Sequence, residues 1–423
     1  MLIEVMVGAL MLALITTAVL TGLDGAQETG RKNRNRSVAA TLAQQDIERL
    51  RAMPVTALSN FSQTRTVDAN GVNYTVASTT EWVSDSTGVI SCSDETEQAD
   101  YLKVSSTVSS PATVSQPVVE TTLLAPAAGT GAVVVRLTDR DGLVRPSTSV
   151  SLAGSTYSTS QATNTLGCAI FGGVPAGNYT ARAPGGLVSW ASVNPATSAV
   201  TVATGKTSVV QMELEPPASL LANFVKPSGA PAAPTAAWGV VSVAHAKLPG
   251  GRKVFTGATG TSLAADTLFP HHDGYGVYAG GCKANNPANW DADYFLPGGP
   301  GYVQLDPSDV NKPVNVVMAA PRVTVRRSSG SGGWTAHARF DEADDPALGS
   351  TCTTSRAGFQ TNNSGSTSTK NLDFALPFGT YDVCADDSSR RRTVSVTLSP
   401  TDPAPTPVTV DLTSGTSSGR CPT

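Results

Sequence analysis

The sequence predicts one long N-terminal α-helix, transmembrane in its first part and amphipathic in its second, followed by an antiparallel β head and tandem all-β sandwich domains. Three observations carry this. Residues 5–23 hold no ionisable side chain, a run just long enough to cross a hydrocarbon core as a helix. Ala39, Ala43, Ile47 and Leu50 then recur at helical spacing, with Asp46, Glu48, Arg49 and Arg51 around them. After Pro54 the pattern changes to alternating Val/Thr/Ser runs punctuated by Gly and Pro, the signature of short strands and tight turns.

The first 54 residues read as a stalk. The apolar span covers about residues 4–23, and Pro54 ends the helix near Met53 because a proline disfavours helical backbone in the residue before it. Gly22, Gly25 and Gly30 predict a soft joint midway. Glu4 stands at or inside the membrane boundary, where an unpaired carboxylate costs several kcal/mol (about 2.5–3.5 on insertion scales) unless it snorkels, stays protonated or meets a cation.

Residues 55–128 form the head. Val72, Tyr74 and Val76 share one face of a strand, Leu102, Val104 and Val108 do the same in the next, and Val119 and Leu123 follow. Asn70-Gly71 is a hairpin signal. Asp94, Glu95, Glu97 and Asp100 cluster between strands but lack calcium-loop spacing, so a solvated acidic loop is expected. A Pro/Ala/Gly stretch, "APAAGTG", then marks a linker near residue 129.

The remainder divides into segments 129–216, 217–320 and 321–423, read as three sandwiches in a weak repeat. Each carries a Pro a few residues before a Gly and a Tyr that opens a strand: Pro175-Ala-Gly-Asn-Tyr179, Pro270 through Gly274-Tyr275, and Pro377-Phe-Gly-Thr-Tyr381. A valine-rich strand follows each, at 209–214, 314–318 and 408–412.

Chemistry is sparse. The formal charge of −4 argues against a nucleic-acid binder, since no net positive field captures phosphates. Six scattered cysteines without a CxxC pair argue against zinc and for disulfides in an oxidising compartment, with a bridge expected among Cys352, Cys384 and Cys421. No Walker loop or HExxH occurs, so neither catalysis nor a cofactor is expected. His271-His272-Asp273 reads as a turn, because adjacent ligands on extended backbone point oppositely and no third ligand lies nearby in sequence. Trp290, Tyr294 and Phe295 are candidate surface contacts in an Asn/Pro/Asp-rich stretch; the competing reading has Tyr294 and Phe295 beginning a strand whose end Trp290 covers.

The N-terminal stretches "LIEVMVGALML" and "LAQQDIERLRAMP" resemble type IV pilins, especially minor pilins of the pilus-modification type and the pseudopilins of type II secretion. Residues 129–216 resemble the carboxypeptidase-regulatory-like (prealbumin or Cna B type) β-sandwich. The first resemblance implies that Glu4 is the assembly glutamate, which pairs with the N-terminal ammonium of a neighbouring subunit. It implies further a leader cut by prepilin peptidase, N-methylation, and a single-pass protein of the inner or plasma membrane whose extracytoplasmic part reaches the cell surface or a pilus. Partners would be other pilin subunits and a surface glycan or protein ligand, with no nucleic acid. The family carries one more residue before the position of Met1, then a Gly and a short basic leader, so the product is expected to begin upstream; the basic cluster Arg31, Lys32, Arg34 and Arg36 would otherwise favour the opposite orientation. The function expected is that of a minor type IV pilin displaying sandwich modules for assembly, adhesion or surface interaction. The alternatives are a pseudopilin and a membrane-anchored binding module of a surface enzyme system.

Overall fold

The computed structural model describes residues 2–59, 61–85, 88–90, 92, 99–110, 116–155, 157–234, 238–326, 334–340, 355–361, 369–387, 390–403, 407–413, 416–419 and 421. The acidic residues Asp94, Glu95 and Glu97 and Cys352 lie outside them. One long helix precedes many sheets, largely antiparallel, that stack as tandem β-sandwiches. The chain falls into two compact units. The first comprises Met1–Thr138, Leu143–Pro184 and Thr197–Met212; the second comprises Asp139–Gly142, Gly185–Ala196 and Glu213–Thr423.

In the first unit the helix runs unbroken over Leu2–Arg51. No joint forms at Gly22, Gly25 or Gly30. A glycine costs only about 1 kcal/mol against alanine in a helix interior, which fifty residues of continuous hydrogen bonding absorb. Among the apolar residues, Thr16, Thr17 and Thr21 return their hydroxyls to carbonyls four residues back, at 2.8–2.9 Å, so these polar groups need no outside partner. At the other end Met53 N–H still reaches the Leu50 carbonyl, and Pro54 then stops the helix.

The strands Ser62–Ala69, Val72–Ser84, Tyr101–Ser109 and Val118–Leu124 form an antiparallel sheet in that order, with Gly88–Val89 beside Val72–Ser84. Asn70 and Gly71 both take positive φ (57° and 75°), as a tight hairpin turn requires. Alternation puts Tyr74, Val76, Ser78 and Trp82 on one face, beside Leu102, Val104, Ser106 and Val108 of the neighbouring strand. Ala39 and Ala43 pack on Tyr74, Val76 and Val108, while Ile47 and Leu50 join Trp82, Leu102 and Val104. Ala132, Val134, Cys168 and Ile170 belong to the same core, so the head sheet and the first sandwich share an interior. Gly172 shows how close that contact is: a Cβ there would stand 1.7 Å from Cζ2 of Trp82. A disulfide between Cys92 and Cys168 ties the two together.

The first sandwich has one sheet of Thr197–Val202, Gly177–Arg182, Ser149–Gly154 and Ser158–Ala162. The other is ordered Val188–Ser189, Thr207–Glu215, Thr130–Thr138, Cys168–Pro175. In the second unit, one sandwich pairs Ser262–Leu268, Ala218–Val225 and Lys312–Val317 against Arg252–Phe255, Val241–Ala244, Tyr275–Ala279 and Tyr302–Val303. The next pairs Thr369–Asp373, Arg322–Arg326 and Val408–Asp411 against Ser355–Thr361, Trp334–Phe340, Gly379–Asp386, Arg390–Leu398 and Ser417–Ser418. In every sandwich the first strand lies between the valine-rich closing strand (Thr207–Glu215, Lys312–Val317 or Val408–Asp411) and a third. In the latter two, the first strand and the valine-rich strand run parallel, Leu220 opposite Lys312 and Val323 opposite Val408. The Gly-Tyr strands repeat as well: Tyr179 and Tyr381 each donate their hydroxyl to the carbonyl of the proline four residues back, at 2.9 and 2.8 Å.

Candidate functional site

The surface of the N-terminal helix is the first candidate. Its most apolar window is wholly unburied, with mean hydropathy 2.1, and this helix is long and apolar enough to cross a membrane. Ile3, Met6, Leu10, Leu12 and Leu14 are among its exposed large side chains. Glu4 falls in the first turns of the helix, and its side chain lies outside what the structure describes.

Further along, Asp46 departs from the sequence reading, which set it on the polar flank of the stripe. It is fully buried. Its Oδ1 accepts from Arg49 Nη2 at 2.9 Å and Arg65 Nη2 at 3.0 Å, and its Oδ2 accepts from Ser78 Oγ at 2.7 Å. Burial pushes this carboxyl up, but the hydrogen bond from Ser78 and the pairing with Arg49 outweigh it and hold the group below its ordinary value. Asp46 thus locks the stalk helix to the head sheet.

The second candidate is the turn before Tyr275. In the other two sandwiches the corresponding turn is Pro-Ala-Gly-Asn-Tyr or Pro-Phe-Gly-Thr-Tyr; here it carries an extra residue and reads Pro-His-His-Asp-Gly-Tyr. The turn closes with the Gly274 N–H on the His271 carbonyl. Val241–Ala244 pairs with Tyr275–Ala279, Ala244 opposite Gly276, which carries His245 to the same place. The His245 and His271 rings stack face to face, centroids 3.7 Å apart and planes within 5°. His271 is 2% exposed.

Hydrogen bonding assigns the tautomers. His245 Nδ1 accepts the Lys247 N–H (3.1 Å), so its proton sits on Nε2 and is donated to Asp273 Oδ1 at 2.8 Å. His271 Nε2 lies 3.0 Å from the Trp190 carbonyl and donates to it. Burial lowers the His271 imidazole to about 4; protonation of His245 and the charge of Lys247 add to this, and Asp273 and the Trp190 carbonyl oppose it.

Donor atoms of His245, His271 and Asp273 lie within 4.8 Å of one another. Two features nevertheless argue against a shared ion. Imidazole lone pairs lie in the ring plane, and two stacked, nearly parallel planes do not meet at one point. Metallation of His245 Nε2 would also move its proton to Nδ1, where the Lys247 N–H already points. The cluster is arranged to hold protons. Sequence reasoning missed His245 because it lies 26 residues from His271, and strand pairing alone joins them.

The aromatic stretch is a series of turns following the 3₁₀ turn Pro287–Asn289, with no strand at Tyr294 or Phe295. Tyr294 is buried, edge-on to Phe295 (5.4 Å) and Phe378 (6.3 Å), and Phe295 leans on Tyr278. Gly301 admits this packing, since a Cβ there would stand 2.6 Å from Tyr294. Trp290 is 36% exposed, while Phe295 is half-buried. Cys384 and Cys421 are bonded to each other, and Cys282 is also disulfide-bonded.

No protein-family model matches the chain, and no curated protein is significantly similar to it. Among solved structures it is similar to the TIE protein of Bacillus anthracis, at 9% identity over 85% of this chain and 61% of that one, with a TM-score of 0.21. It is similar also to BcpA, the major pilin subunit of Bacillus cereus, at 11% identity over 67% of this chain and 99% of that one (TM-score 0.20). A third is GBS52, the minor pilin of Streptococcus agalactiae, at 13% identity over 44% and 94% (TM-score 0.20). The chain spans 61% of the length of the Bacillus anthracis protein. TM-scores of this size carry no argument about function.

Proposed function

We propose that this chain is a minor pilin of the type IV kind, a non-enzymatic filament subunit anchored by its N-terminal helix. The observation that carries the proposal is the division of labour along that helix. Its first half is an apolar rod that buries nothing of itself, while its second half is clamped to a β head by the stripe Ala39, Ala43, Ile47 and Leu50 and by Asp46. A rod unsatisfied by its own chain has two suitable surroundings, a bilayer and a bundle of identical rods, and a pilin passes from the first to the second. On this reading Glu4 is costly alone in lipid and becomes a register-setting contact once a neighbour's N-terminal ammonium meets it.

The segments 129–216, 217–320 and 321–423 are then display modules on the head 55–128, serving assembly, adhesion or surface contact. Trp290 is the aromatic we assign to a surface glycan or protein ligand. Partners are other pilin subunits, the prepilin peptidase and the membrane. A head of this bulk suits a tip or low-copy position. Immunogold labelling of sheared filaments with an antibody against residues 220–423 tests this: sparse or terminal gold is expected, and uniform decoration of the shaft contradicts the low-copy position. Absence from sheared filaments, with all of the chain in the membrane fraction, contradicts the pilin reading itself.

A further inference from the structure

The stacked histidines are unexplained by a filament role. Neither neighbouring sandwich has a histidine in the corresponding turn, so the pair is a local addition to the second one. It also secures a specific segment. Val188–Ser189 pairs with Leu214–Glu215, and beyond that pairing residues 190–193 hold to the second sandwich through four polar contacts: the Trp190 carbonyl on His271, Ser192 Oγ accepting the Phe269 N–H at 3.0 Å, Ser192 Oγ against the Tyr275 hydroxyl at 3.4 Å, and the Ser192 carbonyl accepting from Lys253 Nζ at 3.1 Å. Three of those four partners lie within residues 269–275, on or beside the histidine turn. The segment exposes Trp190 and Val193, at 43% and 45%.

We propose that the His245–His271 stack is an acid latch: neutral, it clamps residues 190–193 to the sandwich, and charging it drives the turn at 269–274 outward and frees that loop beyond the paired strand Val188–Ser189.

Two imidazoliums cannot share a face at 3.7 Å in a buried site, and one of them charged there lacks water. The surroundings do not compensate. Facing the pair are Lys247, which adds positive charge, Tyr275, and Asp273, whose carboxylate already takes the His245 proton. On the outer side His272 pairs with Asp141 at 2.9 Å, and Arg140 donates to the Pro270 carbonyl. Lys253, with Asp266 beside it, holds Ser192 and Thr267 through their carbonyls. Residues 185–196 contribute no titratable side chain. Because the His271 proton affinity is lowered on folding, the closed form is fully favoured above about pH 6.5, and its advantage is lost as pH falls from there to about 4.

The test is hydrogen exchange of the full chain in detergent from pH 7.5 to 4, comparing wild type with His271→Gln at each pH. Gln keeps a donor for the Trp190 carbonyl and cannot charge. The opening constant of peptides covering 185–196 and 269–275 is expected to rise in wild type relative to the variant by up to about 300-fold, the ratio a displacement from 6.5 to about 4 implies. Peptides covering 101–109 should stay unchanged. Parallel curves for the two proteins would overturn the latch. Should the variant not fold, NMR titration of the wild-type imidazoles decides: a His271 ring titrating at pH 6 or above overturns it, and one titrating near 4 with loss of ring stacking supports it.

Discussion

Replacing Asp46 by alanine tests whether the stalk is rigidly joined to the head. The side chain is fully buried and takes hydrogen bonds from Arg49, Arg65 and Ser78. Removing one partner of a buried ion pair costs about 3–5 kcal/mol, chiefly for the charge left behind. Here the two arginines retain about a third of their exposure, 37% and 36%, so both can turn to water and part of that cost is screened. The buried Ser78 hydroxyl cannot, and an orphaned hydroxyl adds about 1–3 kcal/mol. We therefore expect Asp46→Ala to weaken helix docking by about 2–3 kcal/mol. Hydrogen exchange of the full chain reads this directly: amides of 39–50 and 72–84 should exchange roughly 30- to 150-fold faster. Asp46→Asn, which keeps an acceptor but no charge, should fall between the two. Because this carboxyl is held below its ordinary value, its contribution is complete above about pH 4 and is lost only as pH falls through the folded value, so results at pH 7 and 5 should agree. A change under threefold in Asp46→Ala would refute the lock.

Two further outcomes follow from the first unit. Gly172→Ala places a methyl against the buried Trp82 ring and should destabilise that unit by about 1–3 kcal/mol, read as a lower urea midpoint with an unchanged slope. Converting both Cys92 and Cys168 to serine opens a loop of 76 residues and should cost about 4 kcal/mol of unfolding free energy by loop-closure entropy, measured against wild type without reductant.

The stripe Ala39, Ala43, Ile47 and Leu50 was legible because the 3.6-residue period of a helix shows in any window of that length, and the alternation at 72–76 and 102–108 was legible for the same reason at period two. The burial of Asp46 was not. Spacing sets Asp46, three residues after Ala43 and four before Leu50, nearer the stripe than Glu48, which stays exposed, but the partners that satisfy a buried carboxylate, Arg65 and Ser78, lie 19 and 32 residues away. Strand direction was equally hidden, since alternation names a face without saying which way its neighbour runs; the parallel pairing of the first strand with the valine-rich strand is a property of the tandem topology. The three glycines misled because flexibility was weighed one residue at a time, while the helix is cooperative. At 290–295 the aromatic run suggested a strand, but the Asn/Pro/Asp content around it won and the backbone turns. For the histidine turn, the sequence contained three of the four relevant side chains in a row and placed the fourth, His245, out of sight across a strand pair.

The division of labour along the helix carries the pilin reading, and filament incorporation of a Glu4→Val chain tests it most directly. Expressed in the native host at wild-type membrane level, the variant should be reduced at least about tenfold in the sheared surface fraction, the ratio that loss of about 1.4 kcal/mol of assembly contact produces. Equal amounts of wild type and variant in sheared filaments would contradict the account, because the one ionisable group in the apolar rod would then have no part in assembly.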